Sequence, residues 1–526
     1  MNHSIFNDVL GPVMSGPSSS HSAGCARIGR MTRLLYGKEI TRAEVVFEKD
    51  GAYPDTYIGQ GSNFGFTGGL LGFDTDNPRM KDAVEIAKAE GKQILFRQES
   101  LGMHHPNEAR IDIFDNDGKV ELSVLTFSTG GGMFEIVRLN GFKVYIDGYR
   151  RQMFLCVLNE YVEKWNKFLA KETIKYQKEV NTKETLFIIK SYEEEAKTII
   201  KDAVRQDAGE TVSWFTEAPV TMPVPLKDEE TCVFTTATEA LQYNEKVKKE
   251  AWELAVDYEC SVGMIEPEEV WEKTEHILEI MEQASKAPDP DKTQAFGFLS
   301  YKGREMEENF RNVRSVDAGV LNRAAMAAVS VMENSCAHNR IVAAPTAGSS
   351  GVIPGAVVSV GKQMGLSKEQ IMKGILASGL AGVFIANQAS FGAEVAACQA
   401  ENGSSSAMAA AGVTQLLGGS VEQVFMAAGL ALQNMLGLVC DPVGGLTEIP
   451  CINRNIIAMS NAVMSANMVM WGYDPVIPLD ETIGAMYKVG QMMPAELCCT
   501  CKGGLCATKT GEKIAHDLQE KRQRLR

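Results

Sequence analysis

The run Ile371-Met372-Lys373-Gly374-Ile375-Leu376-Ala377-Ser378-Gly379-Leu380-Ala381-Gly382-Val383-Phe384-Ile385-Ala386-Asn387 decides how the chain folds. It is apolar almost all round, so as a helix it offers no face to water. A membrane-spanning helix needs about 20 mostly apolar residues. This run is broken by Lys373 and Ser378 and is rich in glycine and alanine. Val421–Val439 has the same character and is broken by Gln423, Gln433 and Asn434. Both read as tightly packed core helices and not as membrane spans.

Working outward, residues 241–526 read as overwhelmingly helical. Candidate helices are Asn244–Tyr258, Glu268–Lys286, Asn322–Asn334, Lys368–Ala386, Ser404–Leu417, Val421–Leu438 and Asn453–Trp471. Residues 1–148 read as an α/β unit. Ala43–Lys49, Lys92–Arg97, Ala109–Phe114 and Val120–Phe127 are short β-rich runs with partial alternation. Helical patterns intervene at Ala23–Tyr36 and Pro78–Glu90, and Asn116-Asp117-Gly118 marks a hairpin turn. In 149–240 lysine and glutamate become dense and glycine scarce. Phe154–Lys171 and Tyr192–Val204 look helical, Thr185–Ile189 looks like a strand, and the Pro-rich stretch Ala218–Pro225 reads as a connector. This middle segment is expected to be a small bridging or regulatory module. The fold class is therefore multi-domain α+β: an α/β N-terminal domain and a mostly α-helical C-terminal one.

A length of 526 residues is too great for one ordinary core. The net charge of −15 argues against nucleic acid or an anionic membrane as partner. The N-terminus has no basic stretch followed by an apolar one, so no signal peptide is expected and the location is expected to be cytoplasmic. There the twelve cysteines are expected to be reduced thiols.

Three of those cysteines sit where apolar helical patterns meet loops: Cys398, Cys440 and Cys451. Three thiolates converging in an apolar pocket can hold an iron–sulfur cluster with one iron left open as a Lewis acid. Their spacing matches no tight ferredoxin pattern, and buried core cysteines would look the same. Around them lies the loop Ala344–Gly355, with Thr346, Ala347, Gly348, Ser349 and Ser350 at its centre. Its backbone N–H groups and hydroxyls make it a candidate anion site, suited to a substrate carboxylate, or a structural turn. Near the N-terminus, Ser18, Ser19, Ser20 and His21 precede a helix, so the loop supplies caps and His21 is a candidate general base. His105 is its rival, and Asn107 a further candidate for substrate binding.

Pro345–Gly351, Gly392–Val395 with Cys398-Gln399, Cys440–Gly445, Ile449–Ile452 and Gly503-Gly504-Leu505 together resemble the iron–sulfur-dependent L-serine dehydratases. Gly16–His21, His105-Pro106-Asn107 and Gly130-Gly131-Gly132 are similar to that family's β domain. The resemblance covers 1–148 and 241–510, in the order β then α, in one chain. It implies a [4Fe–4S] lyase without pyridoxal phosphate, with Cys398, Cys440 and Cys451 as cluster ligands. The substrate would be a small amino acid, by default L-serine, and a homodimer is expected. The interposed module can be of ACT type in the family, but 149–240 carries no clear version of that pattern.

The chain also departs from the family. Gly59-Gln60-Gly61-Ser62-Asn63 stands where a Gly-His-Gly-Thr-Asp motif is usual. Residues 296–304 replace a Gly-rich substrate loop, and Lys302 and Arg304 there either answer an extra acidic group or are a solvated surface pair. Glu401-Asn402-Gly403-Ser404-Ser405-Ser406 replaces a more apolar run. These changes keep open L-cysteine desulfhydration or loss of another β-substituent. The tail cysteines Cys498, Cys499, Cys501 and Cys506 admit a fourth cluster ligand, a zinc site or free thiols, and they keep open a non-catalytic iron–sulfur sensor.

Overall fold

The computed structural model describes residues 2–190, 194–227, 231–289 and 297–524. It has a mixed-sheet N-terminal part and a helix-rich C-terminal part, as the sequence pattern leads one to expect.

A two-stranded clasp, three residues long, joins the two parts. Strand β1 (Val13–Ser15) pairs antiparallel with Arg340–Val342, so the N-terminal part is stitched directly to the helical one. The main sheet has six strands: β2 (Arg42–Glu48), β3 (Gln93–Glu99), β4 (Glu108–Phe114), β5 (Val120–Gly130), β6 (Met133–Leu139) and β7 (Phe142–Ile146). Their order is β3-β2-β4-β5-β6-β7, and only the β2/β3 pair is parallel. Helices Gly24–Tyr36 and Ser62–Leu71 cross the sheet and each other at glycines. A Cβ at Gly69 would stand 2.1 Å from the Ala26 carbonyl oxygen, so the backbones touch where only glycine fits.

A second sheet follows, built from β8 (Gln152–Leu158), β9 (Gln177–Val180), β10 (Glu184–Lys190) and β11 (Val212–Ala218), in the order β11-β8-β10-β9. With helices Val162–Lys171 and Glu194–Asp207 it forms a complete β-α-β-β-α-β unit. The middle segment, expected as a small module with two helices and one strand, has two helices and four strands. Residues 154–158, expected as the start of a helix, are strand. The reason is burial on both faces: Phe154 and Cys156 join the core of the six-stranded sheet, while Met153, Leu155 and Val157 pack under the module's own helices. A strand covered on both sides loses the alternation that would reveal it. The helix begins only at Val162. Tyr192, at the start of the second expected helix, lies outside the described residues.

The C-terminal body is a bundle around Lys368–Gln388, Ser404–Leu416, Val421–Gln433 and Cys451–Met470. Lys368–Gln388 is long and apolar enough to cross a membrane, but 78% of its most apolar window is buried inside the protein. Its glycines admit the chain's own N-terminus. Ile5–Val9 forms a short helical turn against it, and Cβ atoms at Gly379 and Gly382 would meet Ile5 and Val9 at 2.6 and 2.1 Å. Glu259, fully buried, anchors this strap by accepting from the Ser4 hydroxyl (2.5 Å) and the Ile5 amide (2.7 Å). The expected helix Asn244–Tyr258 is two, Ala237–Val247 and Ala251–Val262. The chain turns at Lys248 (φ 55°), and the Asn244 side chain holds the turn by bonding both the amide and the carbonyl of Lys249.

Candidate active site

A cavity of about 120 Å³ lies where the six-stranded body meets the helical bundle. Ser18, Ser19, Ser20, His21, Gln60 and Asn107 line it from the first. Gly348, Glu394, Glu401, Cys440, Cys451 and Cys499 line it from the second.

The Ser18–His21 wall is a helix start. Ser18 is the N-cap, its hydroxyl accepting from the His21 amide (3.2 Å). The loop is tied down by the Ser128 hydroxyl, which donates to the Ser20 carbonyl (2.7 Å). The His21 ring packs edge-on against Tyr53, with Nδ1 3.0 Å from the Ser20 hydroxyl. Burial pushes His21 down to about 4, so the ring is neutral near pH 7. Its Nε2 is buried without a hydrogen-bond partner. Asn107 donates to the Ser128 carbonyl (3.3 Å), and its Oδ1 is likewise buried and unpartnered. His105 lies behind this wall. It stacks on Phe127 and accepts from the Asn107 amide (3.0 Å).

The Thr346–Ser350 loop presents only Gly348 to the cavity. The Ser349 and Ser350 hydroxyls turn inward to the carbonyls of Ala344 (3.3 Å) and Ala347 (2.8 Å). Ala347 belongs to a small buried cluster with Met14 and Ala23. Asn455 holds the loop against the cysteine-bearing helix: it donates to the carbonyls of Gly348 (2.7 Å) and Cys451 (2.8 Å) and accepts from the Gly351 amide (2.9 Å).

On the thiol side, Cys440 and Cys451 face the cavity and Cys398 lies immediately behind Cys440, with none of its surface exposed. The sulfurs of Cys398 and Cys440 and a carboxylate oxygen of Glu401 lie within 4.8 Å of one another. Arg454 donates to Cys398 Sγ (3.4 Å) and to Asp441 Oδ1 (2.7 Å). Contact with the Cys440 thiol and the Arg454 guanidinium lower Cys398, overcoming burial and holding it toward its thiolate. Contact with Cys398 raises Cys440, and burial raises Cys451. Two buried thiols on the cavity wall and a third against Cys440 are soft donors of the kind an iron–sulfur cluster takes, although Cys451 lies outside the close group of Cys398, Cys440 and Glu401. Cys499 touches Cys440 from the tail, where the amide of Cys499 donates to the Cys440 carbonyl (3.0 Å). Cys501 and Cys506 sit further out, and contact with Cys506 pulls Cys501 down to about 7.

Three cavity residues went without a role in the sequence reading. Gln60, in place of the family's histidine, reaches across the cleft to donate to the Gly445 carbonyl (2.9 Å). Glu394 and Glu401 are the other two, and the signal for them was present: between Lys373 and Glu422 they are the only charged side chains. Desolvation raises both carboxyls, although by surface Glu394 is exposed and Glu401 half-buried. Arg454 was also missed; its position three residues after Cys451 puts it on the same face of a helix. Lys302 and Arg304 do not reach the cavity. They pair along their own helix with Glu305 (2.6 Å) and Glu308 (3.8 Å). Phe296, the first residue of that altered loop, lies outside the described residues.

The family model described as serine dehydratase alpha chain matches residues 170–506. The L-serine dehydratase of Streptomyces coelicolor (strain ATCC BAA-471 / A3(2) / M145) is 34% identical across 93% of this chain and 96% of its own length. The chain belongs to the iron–sulfur L-serine dehydratase family. In Bacillus subtilis (strain 168) two separate proteins share its sequence. One is a probable L-serine dehydratase alpha chain, 39% identical over 47% of this chain and 82% of its own. The other is a probable beta chain, 49% identical over 28% of this chain and 64% of its own. Membership of this family makes the chain a lyase of dehydratase type.

Proposed function

We propose that the chain removes water from L-serine, giving pyruvate and ammonia after hydrolysis of the enamine product, with a [4Fe–4S] cluster on Cys398, Cys440 and Cys451. The observation that carries this reading is the meeting of Cys440, Cys451 and the Ser18–His21 loop in one cavity, with Cys398 against Cys440. When bound, the cluster supplies Lewis acidity toward the β-hydroxyl that leaves. The protein's own groups do the rest. Arg454, held by Asp441, donates to the Cys398 sulfur and favours its thiolate form. The hydroxyls of Ser18–Ser20 and the backbone at Gly348 face the substrate carboxylate. Neutral His21, its Nδ1 held by Ser20, offers Nε2 as acceptor for the α-proton. The Gln60 bond to Gly445 closes the cleft and limits water.

One observation supports a second reading. Gln60 lines the cavity wall, at the position to which the family resemblance assigns a histidine, so the β-substituent removed can differ from hydroxide. A keto-acid assay on the anoxically reconstituted protein separates the two. The proposal expects fastest turnover of L-serine. A clear preference for L-cysteine or an acidic β-hydroxy amino acid would transfer the function to that substrate.

A further inference from the structure

The cavity holds an acid that nothing in the protein balances. Glu401 has company: its carboxylate is reached by the Thr346 hydroxyl and lies in the field of Arg454. Glu394 has only its own backbone amide. Among the described residues no basic side chain and no hydroxyl is hydrogen-bonded to it, although it lines the cavity. Its side chain is exposed where it meets the cavity, so the carboxylate is open to a ligand.

A second unsatisfied acceptor lies on the same rim. Asn107 is 3% exposed, and its amide orientation is fixed by the bond from Nδ2 to the Ser128 carbonyl. Its Oδ1 therefore points away from that bond and has no partner. Glu394 approaches the same strand end: a Cβ added at Gly130 would lie 3.5 Å from Glu394 Oε1. Gly130, Gly131 and Gly132 all have positive φ (101°, 60° and 86°), which keeps this turn free of side chains and open to the acid. One carboxylate without a basic partner and one unpartnered amide oxygen on the same cavity make a site for a cation with several N–H groups.

We propose that Glu394 and Asn107 receive the substrate's α-ammonium group and so select amino acids over the corresponding hydroxy acids. The inference rests on the β-elimination reading above and deepens it. The carboxylate of Glu394 supplies the charge and Asn107 Oδ1 the direction. The carboxylate of the substrate then falls toward Ser18–Ser20 and its β-substituent toward Cys440 and Cys451.

The test is calorimetric binding of L-serine and of 3-hydroxypropionate, which has the same carboxylate and hydroxyl but no ammonium, to the reconstituted full-length protein and to Glu394→Gln. Binding does not depend on turnover, so failure of the serine reading and failure of this one stay distinguishable. If L-serine does not bind but another β-substituted amino acid does, that amino acid and its des-amino analogue are compared instead. Loss of a charge-assisted bond is expected to weaken amino-acid binding by about tenfold to a hundredfold, with analogue binding changed less than about twofold. Asn107→Leu should weaken the amino acid alone in the same sense. Equal weakening of both ligands, or none, in a Glu394→Gln protein of unchanged thermal stability would overturn the proposal.

Discussion

At the residue scale the site rests on a few side chains held in unusual states. Ala397, immediately before Cys398, has φ 58° and ψ −166°, a region open essentially to glycine. That conformation aims the Cys398 sulfur at Cys440 and Arg454, and the helix after it restarts at Ser404. Such a residue costs about 1–3 kcal/mol. Ala397→Gly is therefore expected to raise stability by about 1 kcal/mol in urea unfolding, while Ala397→Val lowers it. A loss of stability in the glycine variant would mean that the alanine methyl contributes more by packing than the backbone loses by strain. The cysteines were legible because each ends an apolar pattern. Their grouping was not, since nothing in the spacing brings Cys398 to Cys440. Glu394 and Glu401 stood out as the lone charges of a long neutral stretch, yet a sequence cannot say which lone charge is balanced.

At the scale of elements, the long helices were readable from their composition. Lys368–Gln388 begins one residue after Ser367, whose side chain and Gln370 form a capping box. Val421–Gln433 begins the same way at Ser420 and Gln423. The break at Lys248 was hidden because no glycine or proline marks it; an asparagine side chain makes it. Strand β8 was hidden because both of its faces are buried. Gln60 shows what an element's placement does for the site: the turn before Ser62–Leu71 carries it across the cleft to Gly445. Gln60→Ala removes one bond worth about 1 kcal/mol, so KM for L-serine is expected to rise about fivefold. An unchanged KM would mean that the cleft closes without it.

At the scale of the molecule, two bodies share one cavity and are tied by the β1 clasp and by the N-terminal strap. The strap adds a pH dependence. Glu259 is raised to about 7 by burial, against an ordinary value of 4.5. A carboxyl raised in the folded state favours folding when protonated. Its contribution is complete below pH 4.5 and is lost as pH rises toward 7, at about 1.4 kcal/mol for each unit separating the two values. His21 acts in the opposite sense. Its depressed value near 4, against 6.5, means stability is lost as pH falls from 6.5 toward 4. Glu259→Gln is expected to flatten the decline in thermal stability between pH 4.5 and 7 without removing the acid-side loss. An unaltered profile would show that the strap does not feel the charge on Glu259.

The most direct test of the account is to measure iron content and pyruvate formation from L-serine, side by side, in anoxically reconstituted wild type and in Cys398→Ser, Cys440→Ser, Cys451→Ser and Cys156→Ser. Cys156 lies in β8, buried between the two sheets' cores and away from the cavity. The account predicts about four irons per chain and turnover in the wild type and in Cys156→Ser, with both lost in each of the other three. Full iron and full turnover in any one of those three would contradict it.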